Sequence, residues 1–347
     1  MPQGKPYACL VRRASIRQVA AAAGVSMSTV SNVLNNPEVV TVDTRRRVED
    51  AMAAVGYVRN GAARQLRGAP SVTVGCVLLD SANPFYAEVA RGMEDRLAEA
   101  GCMAIVCSTD VRVERETRAL QMLEELGVRG VLLSPVSSRL DAAVDLAGRG
   151  TPVVLVDHPG AKTRLCAVTV DDVRGGELAA RHLVVQGHRR IAYLRTEADL
   201  PSLVGRAEGL RRGLAEAGLD VPWALVAVPV PPPAGVAEAE AAVTRVLAIE
   251  PRPTAVVCFN DIAALGVMRG LGAAGVDIPG GMSVLGYDDV VFASQLAPAL
   301  TTIRQPTHEL GRAAAELLLA EGRPGHRHKE VRFTPELVVR SSTAPPS

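Results

Sequence analysis

Several polar side chains in this sequence directly follow apolar runs, a placement that suits hydrogen bonding to a small ligand. Asp157-His158 follows Val153–Val156, Asn260-Asp261 follows Val256–Phe259, and Asp288 stands three residues after Leu285. Ligands of open α/β sheets sit at the carboxyl ends of strands, where such residues would lie. Asp261 and Asp288 are acceptors for hydroxyls or base nitrogens, and each equally suits an N-cap on a following helix. His158, beside Pro159, is either a ligand or a loop histidine facing water. Arg206, near the start of a helix after Ser202, is best suited to anchor a ligand, and Phe85 suits stacking on an apolar ring face. A second group lies near the amino end: Met27, Ser28 and Asn32 open a short helix whose apolar stripe does not need them. Ser and Asn can bond base edges or phosphates, and Met can touch a thymine methyl.

The elements that must position these groups fall into two kinds. Ser15-Ile-Arg-Gln18 has the form of a capping box, followed by an apolar stripe of Ile16, Val19, Ala20 and Ala23. Gly24 breaks that helix, Ser26 caps a second carrying Val30, Val33 and Leu34, and Pro37 ends it. A third begins near Thr41 or Asp43, buries Val48, Met52 and Val55, and closes at Gly56. Two short helices across a tight Gly turn, with a third behind them, describe a helix-turn-helix bundle. From Val72 onward, apolar strands alternate with helical stretches: Val72–Leu79, Met103–Ser108, Gly130–Leu133, Val153–Val156, Ala167–Val170, Ile191–Leu194, Ala255–Phe259 and Ser283–Leu285. That alternation predicts parallel sheets covered by helices, and its length favours two α/β lobes over one.

The net charge of +1 conceals an asymmetry. Residues 1–68 hold ten Lys/Arg against four Asp/Glu, a net +6, leaving 28 against 33, a net −5, on the rest. A basic head on an acidic body suits contact with a polyanion. Aromatic residues are only 3%, so the cores must rest on Ala, Val and Leu. The six cysteines are scattered with no C-x-x-C pair, and no apolar run approaches the roughly 20 residues of a membrane helix. A reduced, cytoplasmic setting is expected. The phosphate-loop, dinucleotide, nucleophile-elbow and H-E-x-x-H motifs of common enzymes are missing from the sequence, and neither a cofactor nor a metal is expected. His326-Arg-His328, set among Gly322, Pro324 and Gly325, reads as a surface loop.

The stretch Ser15-Ile-Arg-Gln-Val-Ala, Ala23-Gly-Val-Ser, Thr29-Val-Ser-Asn-Val-Leu-Asn, Gly56-Tyr57 and Ala63-Arg-Gln-Leu66 resembles the headpiece of the lactose-repressor/galactose-repressor (LacI/GalR) family. The body resembles the same family through Asn83-Pro-Phe-Tyr86, Val170-Asp-Asp172, Gly187-His-Arg-Arg190, Arg206-Ala-Glu-Gly209, Asn260-Asp-Ile-Ala263, Gly286-Tyr-Asp-Asp289 and Pro298–Pro306. The resemblance implies a helix-turn-helix headpiece on a periplasmic-binding-protein-like effector domain, whose lobes exchange strands near residues 170, 300 and 332. It implies that Met27, Ser28 and Asn32 enter the major groove and that Thr29, Ser31 and Tyr57 hold phosphates. Residues 60–67 would form a hinge helix. It is too short to hold alone in water, since isolated helices below about 12–15 residues are marginal. On DNA, Leu66, flanked by Ala63 and Arg67, would wedge into a minor-groove step. Arg59 stands where the family usually has Pro, and Asp172 where it often has Asn.

The expected organisation is an extension over 1–13, a headpiece over 14–59, a hinge over 60–70, a two-lobed effector domain over 71–340 and a tail over 341–347. After Val339 there are no heptad leucines, so a homodimer rather than a tetramer is expected. The implied function is a transcription regulator, most simply a repressor, that binds a palindromic operator. It would be switched by a small effector, a sugar first and a nucleoside or another metabolite as the alternative, acting as inducer or corepressor.

Overall fold

The computed structural model describes residues 14–58, 71–160, 163–323 and 325–347. The chain divides into two compact units, Met1–Pro70 and Ser71–Ser347. In the first, α1 (Ile16–Ala23) carries the expected capping box, Ser15 N–H donating to Gln18 Oε1 at 2.8 Å. Gly24 ends it at φ +64°, a left-handed conformation that glycine adopts without strain. Ser26 Oγ accepts from Thr29 N–H at 3.1 Å and starts α2 (Met27–Asn35). A 3₁₀ turn at Pro37–Val39 leads to α3 (Val42–Val55), capped by Thr41. Val19, Ala20, Val30, Val33, Val48 and Ala51 form the core of this bundle.

The second unit holds two six-stranded sheets. In the first lobe, β1 (Thr73–Leu78), β2 (Met103–Ser108), β3 (Val131–Leu133), β4 (Val153–Val156), β5 (Cys166–Val170) and β11 (Glu330–Phe333) run parallel in the order β11-β5-β4-β3-β1-β2. The second has β6 (Ile191–Thr196), β7 (Leu225–Val230), β8 (Ala255–Val257), β9 (Ser283–Asp288), β10 (Thr301–Arg304) and β12 (Glu336–Val338) in the order β12-β10-β9-β8-β6-β7. Only β12 is antiparallel to its neighbour. The chain crosses between lobes three times: after β5, after β10 and between β11 and β12. Parallel strands buried on both faces read as near-continuous apolar runs, as Val153–Val156 does, each residue being buried.

The helices that matter for the lobe junction are α4 (Pro84–Glu99), α7 (Asp172–Val185), α8 (Pro201–Glu216), α11 (Asp261–Ala273) and α12 (Thr307–Ala320). The others are α5 (Val113–Glu125), α6 (Asp141–Gly148), α9 (Val221–Ala224) and α10 (Val236–Leu247). Helices α7 and α8 touch backbone to backbone, because Gly176 and Gly209 face each other across the contact. A Cβ on Gly209 would stand 2.0 Å from Val173 O, and one on Gly176 2.2 Å from Arg206 O. Among the described residues no helix is long and apolar enough to cross a membrane.

Two parts of the body depart from the sequence reading. Strand β7 contains Pro229 and precedes Pro231-Pro232-Pro233, which masks its strand character; it survives because it is an edge, where a missing N–H breaks no ladder. Residues 341–347 are not a free tail. Ser342 is fully buried, its Oγ donating to Val284 O at 2.6 Å and accepting from Thr301 N–H at 2.8 Å. Ala344 N–H donates to Ser283 Oγ at 3.1 Å, and Ser347 Oγ to Gly280 O at 2.7 Å. Short polar residues are satisfied there by strand ends, a pattern that composition does not reveal.

Candidate functional site

In the first unit, the start of α2 presents Met27, 48% exposed, with Ser28 and Asn32 also exposed. Ser28 Oγ lies 2.7 Å from Ser26 Oγ, and Thr29 Oγ1 lies 2.9 Å from the same oxygen. Thr29 and Ser31 are half-buried, and Ser31 O accepts from Asn35 Nδ2 at 2.8 Å. Tyr57 is half-buried against the bundle core. A helix amino end carries unpaired N–H groups and a positive dipole end, both favourable to phosphate. Ala63, Leu66 and Arg67 lie outside the described residues.

In the second unit the polar groups gather where the three crossings meet the strand ends. Arg206, 6% exposed on α8, donates from Nε to Asp172 Oδ1 at 2.9 Å and from Nη1 to Phe259 O at 2.6 Å. Its guanidinium carbon stacks 3.7 Å from the Tyr287 ring centroid, and the Tyr287 hydroxyl donates to Asp172 Oδ1 at 3.2 Å. Asp288, at φ +116° at the end of β9, lies 3.8 Å from Arg206 Nη1 and accepts from Gln305 Nε2 at 2.7 Å. Burial opposes the Arg206 charge, but Asp172, Tyr287, Asp288 and Asp157 outweigh it and hold its pKa well above the ordinary value. Burial pushes the Asp157 carboxyl up to about 8, with Asp172 adding to the effect and Arg206 opposing it. Asp288 is likewise pushed up to about 8, by burial first, with Arg206 again opposing. Burial raises Asp172 too, against the pull of Arg206 and Tyr287.

Four buried polar atoms near this junction have no hydrogen-bond partner among the described residues: Ser134 Oγ, Asp157 Oδ1, His158 Nε2 and Gln305 Oε1. Ser134 follows β3, Asp157-His158 follows β4 and Gln305 follows β10, so all four stand at carboxyl ends of strands. Leaving such an atom unpaired costs about 1–3 kcal/mol, so four at the carboxyl ends of strands call for an explanation. His158 does not face water. It is 4% exposed, with Nδ1 2.8 Å from Pro159 O, which makes Nδ1 the donor and leaves Nε2 as a bare acceptor. Burial holds its pKa below the ordinary value, so the ring is neutral.

The other expected ligand residues are placed differently. Phe85, in the first turn of α4, is 3% exposed and meets Tyr86 edge-on at 4.8 Å. Ser202 is buried in the first turn of α8. Asp261 is neither a cap nor an open acceptor: Asn260 Oδ1 caps α11. Asp261 instead accepts from Thr302 Oγ1 at 2.6 Å and from Val290 N–H at 2.9 Å, tying β10 to the loop after β9. A separate cavity of about 370 Å³, lined by Tyr193, Ala207, Arg211, Pro222 and Leu225 among others, contains none of the unpartnered atoms.

Two family descriptions match the chain: bacterial regulatory proteins of the lacI family over residues 15–60, and a periplasmic binding protein-like domain over residues 180–343. The HTH-type transcriptional repressor PurR of Photobacterium profundum is 34% identical over 339 residues, covering 95% of this chain and 98% of that protein. The chain belongs to the LacI family. Among solved structures, the Lac repressor dimer bound to operator and the anti-inducer ONPF superposes with a TM-score of 0.82 at 27% identity, covering 96% of this chain and 100% of that one. A LacI family transcriptional regulator from Enterococcus faecium with bound ribose gives a TM-score of 0.72 at 32% identity, covering 79% of this chain and 99% of that one. This LacI-family member is thus a DNA-binding transcription regulator with an effector domain. A further relative, the HTH-type transcriptional regulator DegA of Bacillus subtilis, is 32% identical over 341 residues, covering 96% of this chain and 99% of that protein.

Sequence reasoning on this LacI-family chain missed Ser134, Tyr86, Tyr287 and Gln305. Ser134 and Gln305 obey the same strand-end rule that singled out His158: Ser134 directly follows the run Gly130–Leu133, and Gln305 follows β10, whose two threonines hide its strand character.

The buried carboxyls give a pH signature with a definite sign. Asp157 and Asp288 keep protons in the folded chain up to about 8 but release them near 3.8 when unfolded, so stability falls as pH rises across that window. Burial lowers the pKa of His158, His182 and His188, so they work in the opposite sense, and their contribution is complete above about 6.5. Between pH 6.5 and 8 the carboxyls act alone among these groups, and the urea midpoint is expected to decline. Asp157→Asn should make that decline shallower. A midpoint that rises over this range would show that these carboxyls are already ionised.

Proposed function

We propose that this regulator is a repressor that grips a palindromic operator as a homodimer and changes its grip when a sugar binds at the lobe junction. The observation that carries the reading is the set of unpartnered atoms on Ser134, Asp157, His158 and Gln305, beside the buried Arg206–Asp172 pair. His158 Nε2 and Gln305 Oε1 are plain acceptors, while the Ser134 hydroxyl and the protonated Asp157 carboxyl can donate or accept, which suits a ligand rich in hydroxyls. The ribose bound by the Enterococcus faecium regulator and the operator bound by the Lac repressor dimer support the two halves of the proposal.

At the DNA, Met27, Ser28 and Asn32 read base edges, while Thr29, Ser31 and Tyr57 hold phosphates. Ala63, Leu66 and Arg67 serve the minor groove at the dyad. A lost base contact costs about 1–3 kcal/mol, so Asn32→Ala should weaken operator binding by roughly tenfold or more while leaving random duplex little affected. Effector coupling of about 1–3 kcal/mol is enough to change operator affinity about 5–150-fold.

The test is a thermal-shift panel of pentoses, hexoses and nucleosides on the full chain, followed by operator anisotropy with each hit. A sugar that raises the melting midpoint and shifts operator affinity is the expected result. A nucleoside hit with no sugar response would overturn the sugar assignment, and a hit unaffected by Asp157→Asn would overturn the site.

A further inference from the structure

A second cluster of ligand atoms lies at the opposite, amino end of the first sheet. Cys166 opens β5, Glu321 follows α12, and His326 and His328 lie in the loop leading to β11. Cys166 Sγ stands 3.3 Å from His326 Nε2 and 3.9 Å from His328 Nδ1. Glu321 Oε1 stands 3.1 Å from His326 Nε2 and 3.3 Å from His328 Nδ1. All four ligand atoms lie within 4.8 Å of one another.

These separations are those of a coordination shell. With bonds of about 2.0–2.1 Å to nitrogen or oxygen and about 2.3 Å to sulfur, tetrahedral ligands stand about 3.3 Å apart for N and O, and about 3.6 Å for S and N. A plain hydrogen-bonded network fits less well. Glu321 Oε1 is buried close to both imidazole nitrogens, yet it has no hydrogen-bond partner among the described residues. Cys166 Sγ is within hydrogen-bond reach of both rings, but one thiol proton cannot serve two imidazoles, whereas one ion takes all four atoms. His326 and His328 are spaced i, i+2, which in an extended segment puts both rings on one side. Arg327, between them, then points away.

We propose that Cys166, Glu321, His326 and His328 form a four-ligand site for a borderline divalent transition-metal ion, with zinc the best match. A thiolate with two imidazoles selects against calcium and magnesium, which take oxygen ligands. Four protein ligands make a closed site of the structural kind, without an open position for a reacting water. The ion joins the carboxyl end of α12 to β5 and to the segment before β11, clamping residues 325–330 onto the sheet. The site is separate from the effector junction. It lies at the sheet end where β1 begins after Ser71, about 14 Å across three strand spacings. Glu321 and His326 side chains are 10% and 13% exposed and Cys166 is buried, whereas His328 is 44% exposed, making it the ligand through which the ion enters.

The experiment uses full-length protein stripped with EDTA, then titrated with Zn²⁺ against a chromophoric chelator and, separately, with Co²⁺ under visible absorption. The expected result is one tightly held Zn²⁺ per chain. Co²⁺ should give the intense visible bands of tetrahedral coordination together with a thiolate-to-metal charge-transfer band. His328→Ala, at the exposed ligand, should keep the native circular dichroism and lose more than about 100-fold in zinc affinity, beyond the effect of losing an outer-shell partner. Cys166→Ser should remove the charge-transfer band. If stoichiometric binding does not occur, or if it survives unchanged in the His326→Ala/His328→Ala double variant, the assignment is wrong.

Discussion

Replacing Arg206 with Ala is expected to cost about 3–5 kcal/mol of folding stability and to abolish the effector response. Arg206 is buried with three carboxyls around it, and Asp172 depends on its Nε at 2.9 Å. Removing the guanidinium leaves the buried Asp172 carboxyl with the Tyr287 hydroxyl but without its counter-charge. The same deletion frees Phe259 O, which accepts from Nη1 at 2.6 Å and joins α8 to the end of β8. Arg206→Lys should recover little, because one ammonium cannot reach Asp172 and Phe259 O together while stacking on Tyr287. Chemical denaturation and effector titration separate the two effects. A double variant, Arg206→Met with Asp172→Leu, removes both charges and should regain much of the stability while staying unresponsive. If Arg206→Ala still responded to effector at full amplitude, the junction would not be the effector site.

Much of this was legible in the sequence because it depends on local rules. Ser15 with Gln18, Ser26, Pro37 and Gly56 are punctuation that acts within one turn of a helix, and the bundle they predict is the one found. Buried parallel strands announce themselves as apolar runs, and the polar residues that follow them mark the carboxyl ends of the strands. What stayed hidden depends on distance in the chain. Asp261 looks like a helix cap, yet its oxygens are taken by Thr302 and Val290, 41 and 29 residues away. Ser342 looks like tail and is core, because Val284 and Thr301 come to meet it. His326 and His328 read as a loop in isolation; their significance lies in Cys166, 160 residues earlier, which no spacing rule connects to them.

A second large effect comes from a residue with no side chain. Gly209→Ala is expected to destabilise the chain by about 3 kcal/mol, the upper part of the overpacking range, and to weaken the effector response as well. The added Cβ would sit 2.0 Å from Val173 O and 2.9 Å from Glu177 N. These are backbone atoms of α7 that cannot rotate aside, so the helices must separate. Arg206 lies one turn before Gly209 on α8, and Asp172 is the first residue of α7. Spreading the helices therefore lengthens the Nε–Oδ1 contact that holds the junction together. Gly272→Ala is the control, since its Cβ meets nothing within 4 Å in a helix. It should be neutral or stabilising by up to about 1 kcal/mol. If Gly209→Ala matched Gly272→Ala in both denaturation and effector titration, the close approach of α7 and α8 would not be what sets the Arg206–Asp172 geometry.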